Sequence, residues 1–325
     1  MDVSFKFLLY LISIHLMFYL ATVPMWSIPV ALIMGNCIIL KPSEKAPQTI
    51  QRIVELMVSV GVPSGVVQIV HGDAETATAL CDHAGVHAVS FVGSSKGAEI
   101  VTKRCQAVNK RVLALGGAKN HLLALPDCDV AMTSKDVVAG FVGCAGQRCM
   151  AASVLLLVGD GSDATKDSFM DHLVKDIVAG TKMVNAGTKA TRMGPVIDKQ
   201  AQERVLEYIN EAEAKGATIL LDGRSWAKER TEGFWVGPTI ILHNNVDDRA
   251  MKEEIFGPVL SVYVANSWDE AIAIENANPY GNAASIYTEK GANAEWFIQR
   301  FRASLLGINE AFAGSRGKNH RLYTF

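Results

Sequence analysis

No C-x-x-C pair occurs in this sequence, and none of its six cysteines (37, 81, 105, 128, 144, 149) stands at metal-ligand spacing from the eight histidines. That excludes a zinc ribbon or a vicinal dithiol motif. Scattered thiols of this kind fit a reducing compartment, where most act as small buried hydrophobes. No basic block is present and the net charge is −2, so the electrostatic footprint of a nucleic-acid binder is missing. There is no internal repeat and no low-complexity linker. The dinucleotide fingerprint Gly-x-Gly-x-x-Gly is absent. So is an Arg-rich amphipathic transit peptide.

What remains is a chain of 325 residues, 49% hydrophobic and 20% charged, long enough for one large α/β domain or two ordinary ones. From Phe5 to Ala21 it is almost wholly apolar, broken by Lys6, Ser13 and His15. Two readings compete for this stretch: a non-native leader on a shortened domain, or a targeting or membrane-anchoring element. A buried core helix is a third. After Pro24 the pattern becomes regular. Cys37–Leu40, Val66–Val70, Ala88–Val92 and Val112–Leu115 are short apolar runs that predict buried strands. Helical spacing separates them: Ile50 to Val58, Ala74 to Cys81, and Gly93 to about Ala107. Alternation of this kind implies right-handed crossovers and a doubly wound parallel sheet, with ligands beyond the carboxyl ends of its strands. The second half repeats the style. Strands are predicted at Val154–Val158, Thr218–Leu221, Thr239–Leu242, Val259–Val264 and Ala283–Tyr287. Helices are predicted near Ser168–Ala179, Gln200–Lys215, Trp268–Asn276 and Ala292–Phe301. The halves divide near Gly116-Gly117.

Four short motifs are candidates for chemistry, each with an ordinary alternative. Gly146-Gln147-Arg148-Cys149 offers a thiol, a neighbouring positive charge for its thiolate, and glycines that admit a ligand; the alternative is one more core thiol. Lys41-Pro42-Ser43-Glu44, at a strand-to-helix turn, suits the two hydroxyls of an adenosine ribose, or is a plain helix start. Ser90-Phe91-Val92-Gly93-Ser94 with Gly97 opens a helix whose N–H groups attract pyrophosphate, or is a glycine turn. Glu253-Glu254-Ile255-Phe256-Gly257-Pro258 offers carboxylates for a sugar hydroxyl, or a solvated surface pair.

Taken together and in this order, the four motifs resemble the aldehyde dehydrogenase superfamily from about Pro24 to Ile308. Gly117-Ala118-Lys119-Asn120-His121, Gln147-Arg148-Cys149-Met150, Lys252 to Val259 and Asn278-Pro279-Tyr280-Gly281-Asn282 narrow the likeness to its CoA-acylating methylmalonate-semialdehyde branch. The resemblance implies an incomplete NAD-binding domain over 24–115, a catalytic α/β domain over 116–308, a leader over 1–23 and a clipped tail over 309–325. It implies that Cys149 is the nucleophile and that Arg148 meets the substrate carboxylate. Lys41 and Glu44 would bind the adenosine ribose of NAD, Ser94 the pyrophosphate, Glu254 the nicotinamide ribose, and Phe256 would pack near the nicotinamide. Coenzyme A would be the acyl acceptor and a small semialdehyde the substrate; a homo-oligomer and a mitochondrial location would follow by family. Hydrolytic relatives carry a glutamate base just before the Gly-Gly turn, where this chain has Ala114 and Leu115. Neither can take a proton from water, and a thiol acceptor needs that base less. An Asn-Phe-Pro segment expected before Pro24 is absent. With it would go an oxyanion donor and the first strands of the cofactor domain, leaving an unpaired sheet edge and an uncovered apolar face. A remnant with impaired catalysis is therefore the competing expectation.

Overall fold

The computed structural model describes residues 10–15, 22–159, 169–187, 193–311 and 323–324. The chain separates into two compact units, Met1–Gly117 and Ala118–Phe325.

The first unit runs β1 (Tyr10–His15), α1 (Thr22–Ile33), β2 (Cys37–Lys41), α2 (Gln48–Ser59), β3 (Val67–Ile69), α3 (Ala74–Asp82), β4 (Ala88–Val92), α4 (Ser95–Ala107) and β5 (Arg111–Leu115). Its described strands form a parallel sheet in the order β3-β2-β1-β4-β5. Strand parity sorts the core onto two faces. Ile38 and Leu40 of β2 pack with Ile28, Ile50 and Val54 from α1 and α2. Ile39 turns the other way, to join Val89 and Phe91 of β4 and Val101 and Cys105 of α4. Helices on both faces make the sheet doubly wound, and strand order reverses between β1 and β4, where such sheets open a ligand crevice.

Within the Phe5–Ala21 stretch, the described residues Tyr10–His15 are a strand and not a helix: they form the middle strand, paired with β2 on one side and β4 on the other. A mostly apolar run suits a strand with a strand on either side, and by composition the longer stretch cannot be told from a membrane segment. Among the described residues no helix is long and apolar enough to cross a membrane. The remaining residues of that stretch, 5–9 and 16–21, lie outside the described residues. Placing a boundary at residue 23 also cuts α1, which begins at Thr22. Leu113 and Leu115 of β5 are exposed, as are Trp26, Val30 and Ile33 of α1 and Met34 just after it.

The second unit runs β6 (Asn120–Ala124), α5 (Val130–Val142), a 3-10 turn (Gly143–Gly146), β7 (Ala152–Val158), α6 (Asp171–Lys182), α7 (Lys199–Ala214), β8 (Thr218–Leu221), α8 (Ser225–Glu229), β9 (Thr239–Leu242), α9 (Arg249–Lys252), β10 (Val259–Ala265), α10 (Trp268–Ala277), β11 (Ala283–Tyr287), α11 (Gly291–Arg300), β12 (Leu305–Ile308) and β13 (Tyr323–Thr324). The described strands order as β13-β12-β11-β6-β7-β10-β9-β8, parallel except for the outer two. The stretch read as a clipped tail thus contributes β13, antiparallel to β12. Leu155 and Leu157 face one core with Phe141 and Ile177, while Val154, Leu156 and Val158 face another with Phe297 and Phe301.

β6 and α5 escape a pattern search. β6 is buried throughout yet begins Asn120-His121. α5 contains Thr133, Ser134, Asp136 and Gly140 and has little helical propensity of its own. It is started by Asp129, whose carboxylate accepts from the Met132 N–H at 3.0 Å, and held by burying Val137 and Phe141. His121 is 2% exposed, and burial pushes its pKa down to about 3. In the unfolded chain a histidine takes its proton near pH ~6.5. Folding is therefore favoured above that pH by His121 staying neutral, and this contribution is lost as the pH falls towards the folded value. We expect the urea midpoint to fall between about pH 7 and pH 4 and to fall less steeply in His121→Leu. Identical slopes in the two proteins would remove His121 from the account.

Candidate active site

In the first unit, Lys41 ends β2 and is almost wholly buried. Its Nζ donates to Pro42 O at 2.7 Å and to Gly72 O at 2.6 Å, tying the turn after β2 to the turn after β3. The Glu44 carboxylate lies 3.7 Å from the same nitrogen and is exposed. Burial lowers the Lys41 pKa, and Glu44 opposes the shift. The structure thus brings Lys41 and Glu44 together at a strand's carboxyl end, with Glu44 as the member open to a ligand. Ser94 is the N-cap of α4; its Oγ accepts from the Gly97 N–H at 3.2 Å. Gly97 makes room for the Phe91 ring, since a Cβ there would sit 2.8 Å from it. The hydroxyl of Ser94 thereby serves the helix, and main-chain N–H groups of the first turn remain the groups suited to an anion.

In the second unit, Cys149 follows a tight loop. Cys144 and Ala145 both adopt left-handed backbone with φ of 53°, and Gly146 has φ +67°. A Cβ on Gly146 would lie 2.0 Å from Gly257 O, so the cysteine loop is threaded directly against the Gly257-Pro258 backbone. Gln147, fully buried, anchors the loop: its Oε1 accepts from the Ile197 N–H at 3.0 Å, and its Nε2 donates to Cys144 O at 3.3 Å. Cys149 is half-buried, whereas Cys37, Cys81, Cys105 and Cys128 are buried.

Two acidic neighbours divide their roles. Glu253 accepts from Tyr208 Oη at 2.6 Å and from Arg249 Nε at 2.9 Å, in a surface ion network. Glu254 turns inward and accepts from the Ala118 N–H at 3.0 Å. Burial raises the Glu254 pKa, while the Ala118 N–H and Lys119 pull it down. Lys119 is itself buried, and burial brings its pKa to about 7 against the opposing pull of Glu254. Upstream, His243 Nδ1 hydrogen-bonds Asp248 at 2.7 Å and its Nε2 meets Ser261 Oγ at 3.2 Å. Ser261 also donates to Ala250 O at 3.0 Å. This buried chain fixes α9 on β10 and so sets where Glu254 emerges.

The Arg148 guanidinium lies over Gly143, where a Cβ would be 2.5 Å away. On the Cys149 thiol, burial raises the pKa most, the main-chain N–H groups of Cys149 and Met150 lower it, and Glu254 raises it. Arg148, Lys119, Glu254 and Phe256 line one narrow cavity. Phe256 adopts left-handed backbone with φ of 54°. Three residues that the motifs contained but pattern reasoning did not single out also belong here: Lys119, Asn120 and Asn282. Asn120 Nδ2 donates to Cys149 O and Ala151 O, both at 2.8 Å, and Asn282 Nδ2 donates to Cys149 O at 2.8 Å. The signal in the sequence is a polar residue directly before or at the start of an apolar run: Lys119 and Asn120 at β6, Asn282 before β11. Among the described residues no cluster of His, Cys, Asp or Glu is suited to a metal ion.

The aldehyde dehydrogenase family profile matches residues 19–320. The chain is 40% identical over 290 residues to malonate-semialdehyde dehydrogenase 1 of Geobacillus thermodenitrificans, covering 88% of this chain and 58% of that protein. It is 44% identical over 290 residues to the acylating, mitochondrial methylmalonate-semialdehyde dehydrogenase of Arabidopsis thaliana, covering 89% of this chain and 47% of that one. Among solved structures, methylmalonate-semialdehyde dehydrogenase from Oceanimonas doudoroffii superposes with a TM-score of 0.88 at 36% identity, covering 97% of this chain and 66% of that one. The putative methylmalonate-semialdehyde dehydrogenase of Sinorhizobium meliloti 1021, complexed with NAD, gives 0.88 at 32% identity, covering 96% and 66%. The chain belongs to the aldehyde dehydrogenase family. It spans about half to three-fifths of the length of those two sequence relatives.

Because a negative charge at Glu254 raises the Cys149 pKa, Glu254→Gln is expected to speed iodoacetamide alkylation of Cys149 by roughly threefold near neutral pH. Peptide-resolved mass spectrometry reads the rate. An unchanged rate would show that the carboxylate does not act on the thiol.

Proposed function

We propose that this chain carries the chemistry of an NAD-dependent, CoA-acylating semialdehyde dehydrogenase acting on malonate or methylmalonate semialdehyde. The observation that carries the reading is the half-buried thiol of Cys149 on a loop packed against the Glu254–Pro258 segment. Supporting it are the activities for which the relatives are named and the absence of a carboxylate at Ala114 and Leu115.

A dinucleotide fits the first unit on three counts. Strand order reverses between β1 and β4, Lys41 and Glu44 pair at the carboxyl end of β2, and Gly97 leaves the helix start free of a Cβ. Glu44 would accept from ribose hydroxyls, with Lys41 holding it in place, and the start of α4 at Ser94 would face the pyrophosphate. In the second unit, Glu254 would take the nicotinamide ribose and Phe256 would pack near the ring. NAD, when bound, supplies the hydride acceptor.

The Cys149 thiolate attacks the aldehyde carbon, forming a carbon–sulfur bond and an alkoxide that is then protonated. Loss of hydride and of the hydroxyl proton from that thiohemiacetal leaves a thioester on Cys149. The bond to the substrate's carboxylate then breaks, carbon dioxide leaves, the enolate that remains takes a proton at carbon, and the thiolate of coenzyme A displaces the Cys149 thiolate, giving acetyl-CoA or propionyl-CoA. With no carboxylate at Ala114 or Leu115, water is a poor competitor, whereas a thiol ionises far more readily and needs less help. Arg148 would pair with the substrate carboxylate through its planar donors. A homo-oligomer is inferred from the family, and a mitochondrial location rests on the Arabidopsis relative being named so.

Full-length protein mixed with NAD, CoA and either semialdehyde should generate NADH absorbance. Cys149→Ala should lose at least about a thousandfold in rate. Equal rates with and without CoA would dispose of the acylating half of the reading, and no NADH under any condition would dispose of the whole. Arg148→Lys should raise KM for the carboxylated semialdehyde roughly tenfold while leaving KM for propanal nearly unchanged, since a lysine cannot make the bidentate contact. Equal effects on both substrates would release Arg148 from its assigned role.

A further inference from the structure

The main-chain carbonyl of Cys149 lies outside any sheet ladder, yet both of its lone-pair directions are taken. Asn120 Nδ2 and Asn282 Nδ2 each donate to it at 2.8 Å. The two amides come from neighbouring strands: Asn120 opens β6, and Asn282 immediately precedes β11, which pairs with β6. Asn120 spends its remaining groups locally. Its second N–H goes to Ala151 O at 2.8 Å, and its Oδ1 accepts the Ala283 N–H at 3.2 Å. A flipped amide would set oxygen against two carbonyls, so this network admits one orientation. At the same point the β6–β7 register shifts between Asn120 and His121, so the side chain continues where the ladder is irregular. Asn282 is held from behind, its carbonyl accepting the Leu305 N–H at 3.1 Å.

We propose that Asn120 and Asn282 form a two-amide clamp on the Cys149 carbonyl, and that this clamp positions the thiol for attack. The link is the planarity of the peptide unit. The Cys149 carbonyl and the Met150 N–H belong to one rigid trans plane and point in opposite directions. Pinning the oxygen between two amides therefore fixes where the Met150 N–H points, and that N–H is one of the main-chain groups that lower the pKa of the Cys149 thiol. Released, the plane would rotate and that donor would turn away. Both residues are positioning residues: they act on the sulfur through the main chain. The inference rests on Cys149 being the nucleophile of the proposed reaction, but the clamp can be measured without turnover.

The test is the pH dependence of iodoacetamide alkylation at Cys149 in the intact chain, read by peptide mass spectrometry, with the exposed Cys144 in the same protein as internal control. Asn282→Leu keeps the size and removes the donor; Asn282→Ala is made alongside it. In both variants the Cys149 curve should move to higher pH, and its rate near pH ~8 should fall about fivefold, since a tenfold change in thiolate fraction corresponds to one pKa unit. The Cys144 rate and the far-ultraviolet circular dichroism should stay as in the parent. A Cys149 curve that superimposes on the parent's overturns the clamp, whatever the parent does with aldehydes. Loss of folding in both variants also overturns it, since Asn282 would then serve the fold. A shifted curve in a chain that makes no NADH keeps the clamp and removes the dehydrogenase reading instead.

Discussion

A loop that leaves the sheet inside a protein carries polar main-chain groups that no ladder satisfies, and each such group left bare costs on the order of 1–3 kcal/mol. The segment from Gly143 to Ala151 meets that constraint with side chains. Gln147 secures it to Ile197, and Asn120 and Asn282 take the carbonyl of Cys149. Everything assigned to the thiol follows from this solution. The loop can be both buried and well defined, and Cys149 stays half-exposed at its end while four other cysteines disappear into the core.

Glycine enforces the second half of the same constraint. With Gly146 against the backbone of Gly257, the cysteine loop and the Glu254–Pro258 segment are one packed piece of structure. Nearby charges are then arranged by burial more than by contact. Lys119 and Glu254 are both pushed towards their neutral forms by loss of solvent and pulled back by each other. The thiol feels the carboxylate as an opposing charge and the main-chain N–H groups as support. The guanidinium of Arg148, adjacent in sequence, lies over Gly143 and lines the cavity it shares with Lys119, Glu254 and Phe256.

The first unit was legible where periodicity and environment agree. The runs at Cys37–Leu40 and Ala88–Val92 are strands, and Ser94 and Gly97 open a helix, because short buried parallel strands read as unbroken apolar runs. The same logic misled at the start of the chain. Phe5–Ala21 has nearly the composition of a membrane segment, and pairing with β2 and β4 is what marks Tyr10–His15 within it as a strand. β6 and α5 were invisible for the opposite reason: polar residues that serve buried hydrogen bonds or a turn look, in one dimension, like a loop.

By itself the sequence determined the family and the alternating architecture, since ordered motifs and strand-like runs are local properties of the chain. Only the tertiary structure decided which of Glu253 and Glu254 faces inward and where the guanidinium of Arg148 lies. It also decided that two asparagines, 29 and 133 positions from Cys149, meet on its carbonyl oxygen. Hydrogen bonds and burial act between groups brought close by the winding of the sheet, and separation along the chain carries no record of that approach.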